Sequence, residues 1–294
     1  GYEKFTLIQL RSAPATFRAR KQHIVRFLRY LDAHGVDSAS DIWASMISGF
    51  VISQAHLKPA TLAIAVSSLR SFLRYLCMEG NLPGDLSEHV PKVREGRDAR
   101  IPSVWRQGDV DTLLATVDRR SPVGKRDYAI LLLAVRLGMR ASDIRAIRLD
   151  HLHWDQGRIE MMQTKGGAPL ALPLTEEIGS ALIDYLKNGR PQTQHRQIFL
   201  RAHAPFEPFG HNNNLHYIIT THRRRAGITL PSENRRGLHS LRHTLASRLL
   251  EAEIPLETIS GVMGHLSVET TRLYTKIDIE ALRGVAIDPE EVTL

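Results

Sequence analysis

The stretches HSLRH (residues 239–243) and MGHLSVETTRLYTK (residues 263–276) place His239, Arg242, His265 and Tyr274 in one short span of the chain. An arginine guanidinium binds phosphate through two parallel hydrogen bonds and stays charged at any physiological pH. A histidine transfers protons near neutral pH, and a phenol can attack phosphorus to form a covalent phosphotyrosine. A tyrosine near a chain end is by itself more often a packing or surface residue. The combination of these four residues predicts phosphoryl transfer with Tyr274 as the nucleophile.

A second arginine that fits this chemistry is Arg140, in the segment LGMRASDIRAI (residues 137–147). The apolar segment before it predicts a helix that ends at Gly138, and ASDIRAIRL predicts the start of another helix. An arginine at such a junction can expose its guanidinium while its alkyl stem is buried. A structural ion pair with Asp143 is the alternative. It is compatible with catalysis, because a neighbouring carboxylate would hold the guanidinium in place.

Lys165 lies in a segment that predicts strands in an otherwise helical half of the chain. The run GRIEMMQTKGGAPLALPLT (residues 157–175) alternates loosely, breaks at Lys165-Gly166-Gly167 and resumes as a second extended run. This pattern predicts a β-hairpin with Lys165 at its turn. A lysine beside two glycines is, on its own, usually just a solvent-exposed turn residue. Together with the other candidates it predicts a mobile loop that brings a lysine to the phosphate.

These residues resemble the active site of the tyrosine recombinases, also called the phage integrase family. That site contains an Arg, a Lys in a hairpin, an H-x-x-R pair, a further His or Trp, and the Tyr. The G-H-x-s-x-x-T-T-x-x-Y block of the family is similar to residues 264–274, and Lys276 departs from many relatives but lies outside the site. The positions that match the six catalytic residues are Arg140, Lys165, His239, Arg242, His265 and Tyr274.

The resemblance implies a role for each residue that touches the phosphate. Tyr274 would attack the scissile phosphate, forming a 3′-phosphotyrosyl bond and freeing a 5′-hydroxyl. Arg140 and Arg242 would clamp the non-bridging oxygens, and His265 would donate a hydrogen bond to the phosphate. The implied chemistry needs neither a metal nor a nucleotide cofactor, because side chains supply the positive charge.

Two further residues would move protons in the implied reaction. Lys165 would protonate the leaving 5′-oxygen, and His239 would assist proton transfer with the tyrosine. The implied activity is site-specific recombination of double-stranded DNA with paired inverted half-sites. A homotetramer on two duplexes would exchange strands through a Holliday junction, for integration, excision or resolution. The implied fold is mostly α with a small β-hairpin or sheet in the catalytic domain, arranged as a two-domain DNA clamp.

The chain divides by composition into two predicted domains. Residues 1–90 predict two helices that resemble the family's core-binding domain, and residues 91–103 predict a basic linker. Residues 104–294 predict the catalytic domain, with a tail from about residue 277 that in the family docks onto a neighbouring subunit. A tail folded back on its own domain is the alternative. The apolar positions predicted to form the core face of the first helix are Phe17, Ile24, Phe27, Leu28 and Leu31.

Basic side chains on the two N-terminal helices and in the linker are predicted to contact DNA phosphates. We assign this role to Arg18, Lys21, Arg70, Arg74 and Arg97. A solvated surface is the alternative for any single one of them. Lys and Arg exceed Asp and Glu by 39 to 31, which gives a net charge of +8 and a pI of about 9.8. This balance favours a polyanionic partner.

Three features predict where the protein acts. The single cysteine, Cys77, fits a reducing compartment, and no signal peptide is visible. The longest apolar run, AILLLAV at residues 129–135, is too short to span a bilayer. These features predict a soluble cytoplasmic protein without membrane contact. The sequence begins at the core-binding helices, without the additional arm-binding domain of some phage integrases, which favours a simple, Xer-like recombinase.

Three other functions compete with this prediction. A type IB topoisomerase uses the same phosphotyrosine chemistry but rejoins the original strand, and a non-catalytic DNA-binding protein could keep the fold. His239 and His243 are four residues apart on a predicted helix, a spacing that could bind zinc. The permanent charge of Arg242 beside such a metal, and the lack of a nearby Cys, disfavour zinc.

Overall fold

The computed structural model describes residues 1–93, 104–211, 213–230 and 237–264. Its contacts divide the chain into two units, Gly1–Arg100 and Ile101–Leu294. Most described residues are helical, and one small antiparallel sheet lies in the second unit. The predicted fold class, mostly α with a small β-sheet, is confirmed. Within the described ranges, no helix combines the length and the apolar character that crossing a bilayer requires.

The first unit is built on three helices, α1 (Pro14–Asp32), α2 (Ala44–Ser53) and α3 (Pro59–Met78). Prolines begin α1 and α3, at positions where a backbone N–H group would have no acceptor within the helix. Phe27 of α1 packs with Leu69 and Leu73 of α3, and all three side chains are at most 1% exposed. Two short helical turns precede α1, Tyr2–Lys4 and Phe5–Gln9.

The second unit is a helical assembly around one large apolar core. The longest buried stretch is Ala129–Val135, which lies inside a single helix and is at most 6% exposed. In the described part of this unit the α-helices are α4 (Gln107–Ala115), α5 (Pro122–Arg136), α6 (Ala141–Ala146), α7 (Glu176–Asn188), α8 (His216–Arg225), α9 (Leu238–Glu251) and α10 (Leu256–Met263).

The sheet contains three antiparallel strands in the order β1 (Leu152–His153), β2 (Arg158–Met162) and β3 (Pro169–Pro173). Ile159 pairs with Leu172, and Met161 pairs with Leu170. These four side chains are buried, while their neighbours along each strand are more exposed, as alternation on a half-buried sheet requires. Strands β2 and β3 form the predicted hairpin, so Lys165 lies in its turn as expected.

One expectation for the first unit was wrong, and one of its helices was not predicted. Leu28 is 46% exposed, because α1 buries the stripe formed by Ile24, Phe27 and Leu31, and Leu28 lies to one side of it. Helix α2 was not predicted at all. Its sequence, ASMISGFVIS, has no charged residue and no clear polar face, so helical periodicity gives little signal there.

Candidate active site

Arg140 lies at the junction between α5 and α6, as its sequence position predicts. It is the residue before α6, its backbone is extended, and its side chain is 20% exposed. Nη1 donates a hydrogen bond to Oε1 of Gln163 at 2.9 Å, and Nη2 donates to the carbonyl oxygen of Gly264 at 3.0 Å. Asp143 is farther away, with Oδ2 at 3.9 Å from Nη1. The two hydrogen bonds of the guanidinium are therefore made to neutral oxygens, and its ion pair with Asp143 is the longer contact.

Arg242 projects from α9 and is 3% exposed. Its guanidinium donates to the carbonyl oxygens of Gly138 and Met263. Gly138 lies two residues before Arg140, and Met263 lies directly before Gly264. The two arginines therefore bind consecutive carbonyl groups at the end of α10, and this shared anchor brings their charges into one site.

The hairpin turn that carries Lys165 is tied to the same site through Asp143. Asp143 is 1% exposed, and its Oδ1 accepts a hydrogen bond from the backbone N–H of Thr164 at 2.8 Å. The hydroxyl of Thr164 also donates to the carbonyl oxygen of Ser142 at 3.3 Å. Lys165 itself is exposed. The root of the turn is thus fixed near Arg140, while the lysine side chain extends into solvent.

His239 is exposed in the first turn of α9, three residues before Arg242, so both residues lie on one face of the helix. Its ring lies 4.5 Å from that of His243 in a T-shaped contact. Trp105 fixes this helix, because its indole N–H donates to Oγ of Ser240 at 2.8 Å. In the described part of the chain, no three His, Cys, Asp or Glu side chains cluster in a way that could hold a metal ion.

A further cation adds to the positive potential near the site. Arg145 of α6 donates to the carbonyl oxygen of Gly210, and burial lowers the pKa of its guanidinium while Asp143 opposes that shift. An arginine remains charged after such a shift, because its ordinary pKa is far above neutrality. Arg140, Arg145 and Arg242 therefore bring three positive charges to this region, which suits an anionic ligand.

The other predicted site residues lie outside the described residues. His265 follows Gly264 directly in the sequence, and Tyr274 lies nine positions farther along. The structure therefore brings together Arg140, Lys165 and Arg242, with His239 on the helix of Arg242. The placements of His265 and Tyr274 stay predictions.

The predicted DNA contacts on α1 are exposed. Arg18 and Lys21 lie outside the stripe of α1 that buries Ile24, Phe27 and Leu31. Long basic side chains on a face opposite the core can reach a phosphate backbone without disturbing the fold. Their assignment to DNA stays a prediction.

The predicted DNA contacts on α3 have partners within their own unit. Nη2 of Arg70 donates to the carbonyl oxygen of Val90 at 3.0 Å, and Nε of Arg74 donates to Oγ of Ser87 at 3.1 Å. Each guanidinium has further N–H groups, so these contacts are compatible with phosphate binding. Arg97 lies outside the described residues.

Sequence reasoning missed Gln163 as a member of the site, and it placed Gly264 in the family's motif without giving it a structural role. Gly264 ends α10 in the left-handed conformation, with φ at +55°. A Cβ at this position would lie 1.6 Å from Nε2 of Gln163. A glycine at the end of a predicted helix could have indicated the left-handed conformation. Its contact with the hairpin follows only from the tertiary structure.

We expect Gly264→Ala to destabilise the second unit. The left-handed conformation costs a residue with a Cβ about 1–2 kcal/mol, and the clash with Gln163 adds to this. Gly261→Ala is a matched control in the same helix, because a Cβ there meets nothing within 4 Å. It should stabilise the helix by roughly 0.5–1 kcal/mol. Thermal unfolding measures both changes, and equal midpoints for the two variants would contradict the tight packing at Gly264.

The sequence was compared with known families and proteins. The Phage integrase family matches residues 104–280. A Sinorhizobium fredii protein described as an integrase/recombinase, y4rA, is 36% identical over 264 residues, which cover 89% of this chain. Tyrosine recombinase XerD of Listeria monocytogenes is 27% identical over 291 residues, covering 96% of this chain and 94% of the relative. The chain spans 63% of the length of y4rA and 53% of a second Sinorhizobium fredii relative, y4rF.

Two solved structures share the fold. The XerH site-specific recombinase, in a post-cleavage complex with the palindromic difH substrate, superposes with a TM-score of 0.75 at 19% identity and covers 91% of this chain and 78% of the other. A dimer of lambda integrase bound to a COC′ core site gives a TM-score of 0.69 at 18% identity and covers 90% of this chain and 89% of the other. At this level of identity the likeness concerns the fold alone.

Proposed function

The chain belongs to the phage integrase family, and from this premise we propose that it is a site-specific DNA recombinase acting through a 3′-phosphotyrosyl intermediate. The observation that carries the proposal is the meeting of Arg140 and Arg242 on the consecutive carbonyls of Met263 and Gly264. Two guanidinium groups brought to one point form a site for a phosphate diester. The residue that follows this point in the sequence is His265, and the candidate nucleophile Tyr274 lies nine positions beyond it.

In the proposed first step, the phenol oxygen of Tyr274 bonds to phosphorus and the bond between phosphorus and the 5′-oxygen breaks. Negative charge grows on the non-bridging oxygens in the transition state, where Arg140, Arg242 and His265 stabilise it. Main-chain carbonyls hold both arginines, and the side chain of Gln163 also holds Arg140, so little reorganisation is required when that charge develops.

Proton transfer in the proposed reaction involves Lys165 and His239. Lys165 gives a proton to the leaving 5′-oxygen, and its exposed position in the hairpin turn supports a side chain that moves to the DNA. His239 assists removal of the proton from Tyr274. The phosphotyrosine ester conserves the energy of the broken bond, so a 5′-hydroxyl from a partner strand can attack it and rejoin the DNA without ATP.

Strand transfer separates the proposed activity from its closest competitor. A recombinase joins ends from two differently labelled duplexes, whereas a type IB topoisomerase rejoins the original strand and relaxes a supercoil. We expect joined products carrying both labels, with a covalent protein–DNA adduct as the intermediate. Relaxation without exchange would favour the topoisomerase. The absence of any adduct on a nicked target would favour a non-catalytic DNA-binding protein.

The proposed DNA partner is a duplex with paired inverted half-sites, bound by both predicted domains. The exposed position of Arg18 and Lys21 supports contact with phosphates from the first unit. The additional donors of Arg70 and Arg74 support the same role for α3. Arg97, in the predicted basic linker, is the fifth proposed phosphate contact.

We also propose that the tail from about residue 277 joins subunits of a homotetramer on two duplexes. Its apolar positions, Ile277, Ile279, Ala281 and Leu282, support a short amphipathic helix, and the tether to Tyr274 is only a few residues long. Deleting residues 277–294 should weaken cooperative assembly on paired sites and uncouple cleavage from synapsis, while half-site binding persists. Mobility shifts and cleavage at matched salt measure these steps. Unchanged cooperativity and recombination would place the tail on its own subunit.

A further inference from the structure

Gln163 occupies the position where strand β2 becomes the hairpin turn. Its backbone N–H donates to the carbonyl oxygen of Ala168 at 2.8 Å, and its own carbonyl oxygen accepts from the N–H of Gly167 at 3.2 Å. These two bonds close the turn around Lys165. The backbone of Gln163 is therefore fixed by the sheet, and its side chain leaves from a defined point two residues before the lysine.

The side chain of Gln163 points away from solvent, into the arginine site. It is 3% exposed, and its Oε1 accepts the hydrogen bond from Nη1 of Arg140 at 2.9 Å. A guanidinium only donates, so the amide oxygen has to face it and the amide nitrogen has to face the other way. That nitrogen lies against Gly264, and within the described ranges it has no hydrogen-bond partner. Because the guanidinium can only donate, the contact with Arg140 determines the orientation of the amide.

The amide oxygen of Gln163 suits a guanidinium that also has to bind a phosphate, because it accepts a hydrogen bond and carries no negative charge. Gly264 provides the second oxygen for Arg140, and it too is neutral. Asp143, the nearby carboxylate, lies 3.9 Å from Nη1 and uses its other oxygen to bind the hairpin. A carboxylate at the 2.9 Å position of Gln163 would form a strong ion pair with Arg140 and compete with a phosphate. A neutral acceptor orients the same guanidinium without that competition.

We infer that Gln163 is a positioning residue for the proposed strand cleavage, which sets the orientation of Arg140 while leaving its charge available to the scissile phosphate. The inference rests on the proposed function. Because the same residue closes the turn of Lys165, it also links the position of the turn to the arginine that holds the phosphate.

The test compares two changes at this position with a control one residue away. Gln163→Glu keeps the shape and adds a negative charge beside Arg140, whereas Gln163→Met keeps the approximate length and removes the acceptor. Met162→Glu adds the same charge at a side chain that is 61% exposed. Single-turnover cleavage is measured on a phosphodiester and on a substrate whose scissile phosphate carries a methylphosphonate, with thermal unfolding recorded for each variant. The methyl group replaces one non-bridging oxygen and makes the linkage neutral, so the charge of Arg140 contributes less to the cleavage rate on that substrate.

We expect Gln163→Glu to slow cleavage of the phosphodiester by roughly 10²-fold, comparable to loss of one charge-stabilising donor. Gln163→Met should lose less, and Met162→Glu should remain close to the wild-type rate. On the methylphosphonate the rates of the Glu and Met variants at position 163 should converge. Equal losses for these two variants on both substrates, or equal rates for Gln163→Glu and Met162→Glu, would overturn the positioning role. Failure of the wild-type chain to form any adduct would instead overturn the proposed function, and the inference with it.

Discussion

Replacing Tyr274 by Phe is expected to abolish DNA cleavage while leaving DNA affinity nearly unchanged. The substitution removes a single oxygen, which is the atom proposed to attack phosphorus. The ring and the basic surfaces that would contact DNA remain. A suicide substrate, which traps the covalent adduct by losing the strand needed for religation, measures cleavage. Mobility shifts at the same salt concentration measure affinity.

Tyr217→Phe provides the matched control for this prediction. Tyr217 lies on α8, is 73% exposed and loses the same atom, so its variant should form the adduct at the normal rate. Adduct formation by the Tyr274→Phe variant would show that another group is the nucleophile. Loss of the adduct in the Tyr217→Phe variant alone would indicate that Tyr217 is the nucleophile.

Lys165→Ala is expected to slow cleavage by roughly 10²- to 10⁴-fold, the usual contribution of a general acid. The loss should be recovered on DNA with a 5′-bridging phosphorothiolate at the scissile position. A thiolate is a much better leaving group than an alkoxide and departs without a proton, so the missing donor no longer limits the rate. Single-turnover cleavage of the two substrates measures the recovery.

Arg140→Ala should respond differently to the same substrate. Its expected loss, at least about 10²-fold, comes from missing charge stabilisation at the non-bridging oxygens, which the sulfur substitution leaves unchanged. Lys187, exposed on α7, supplies a control in which a lysine is removed elsewhere from the same unit. If both variants recovered equally on the phosphorothiolate, or if neither did, the separate roles of Lys165 and Arg140 would be wrong.

The local parts of the site were predictable from short stretches of sequence. Residues 157–175 specify a hairpin through alternation and two glycines, and the structure has strands β2 and β3 on either side of Lys165. Gly166 and Gly167 both adopt positive φ values there, at 90° and 65°. In the same way, the helix end predicted at Gly138 placed Arg140 at the start of α6. Such features depend on residues that are close in sequence, so a short stretch of sequence is enough to predict them.

Predictions that depended on which face of a helix is covered were less successful. Leu28 belongs to an apolar pattern on α1, but neighbouring helices cover only one stripe of that helix, and Leu28 lies outside it. Helix α2 has an apolar sequence without a polar face, which fits either a buried helix or a strand by periodicity alone. Burial depends on how the helices pack together, so the apolar pattern of a single helix shows which residues can be buried but not which ones are.

The sequence by itself determined the family, the residue types of the candidate site and the local elements that carry them. What only the tertiary structure decided is how those residues are held. Arg140 reaches Gly264 across 124 positions of the chain, and Arg242 reaches Gly138 across 104. The hydrogen bond from Arg140 to Gln163 joins a helix start to a hairpin. Local propensity acts over a few residues, whereas these bonds form only after the helices and the sheet have packed, and for this reason Gln163 carried no recognisable signal in the sequence.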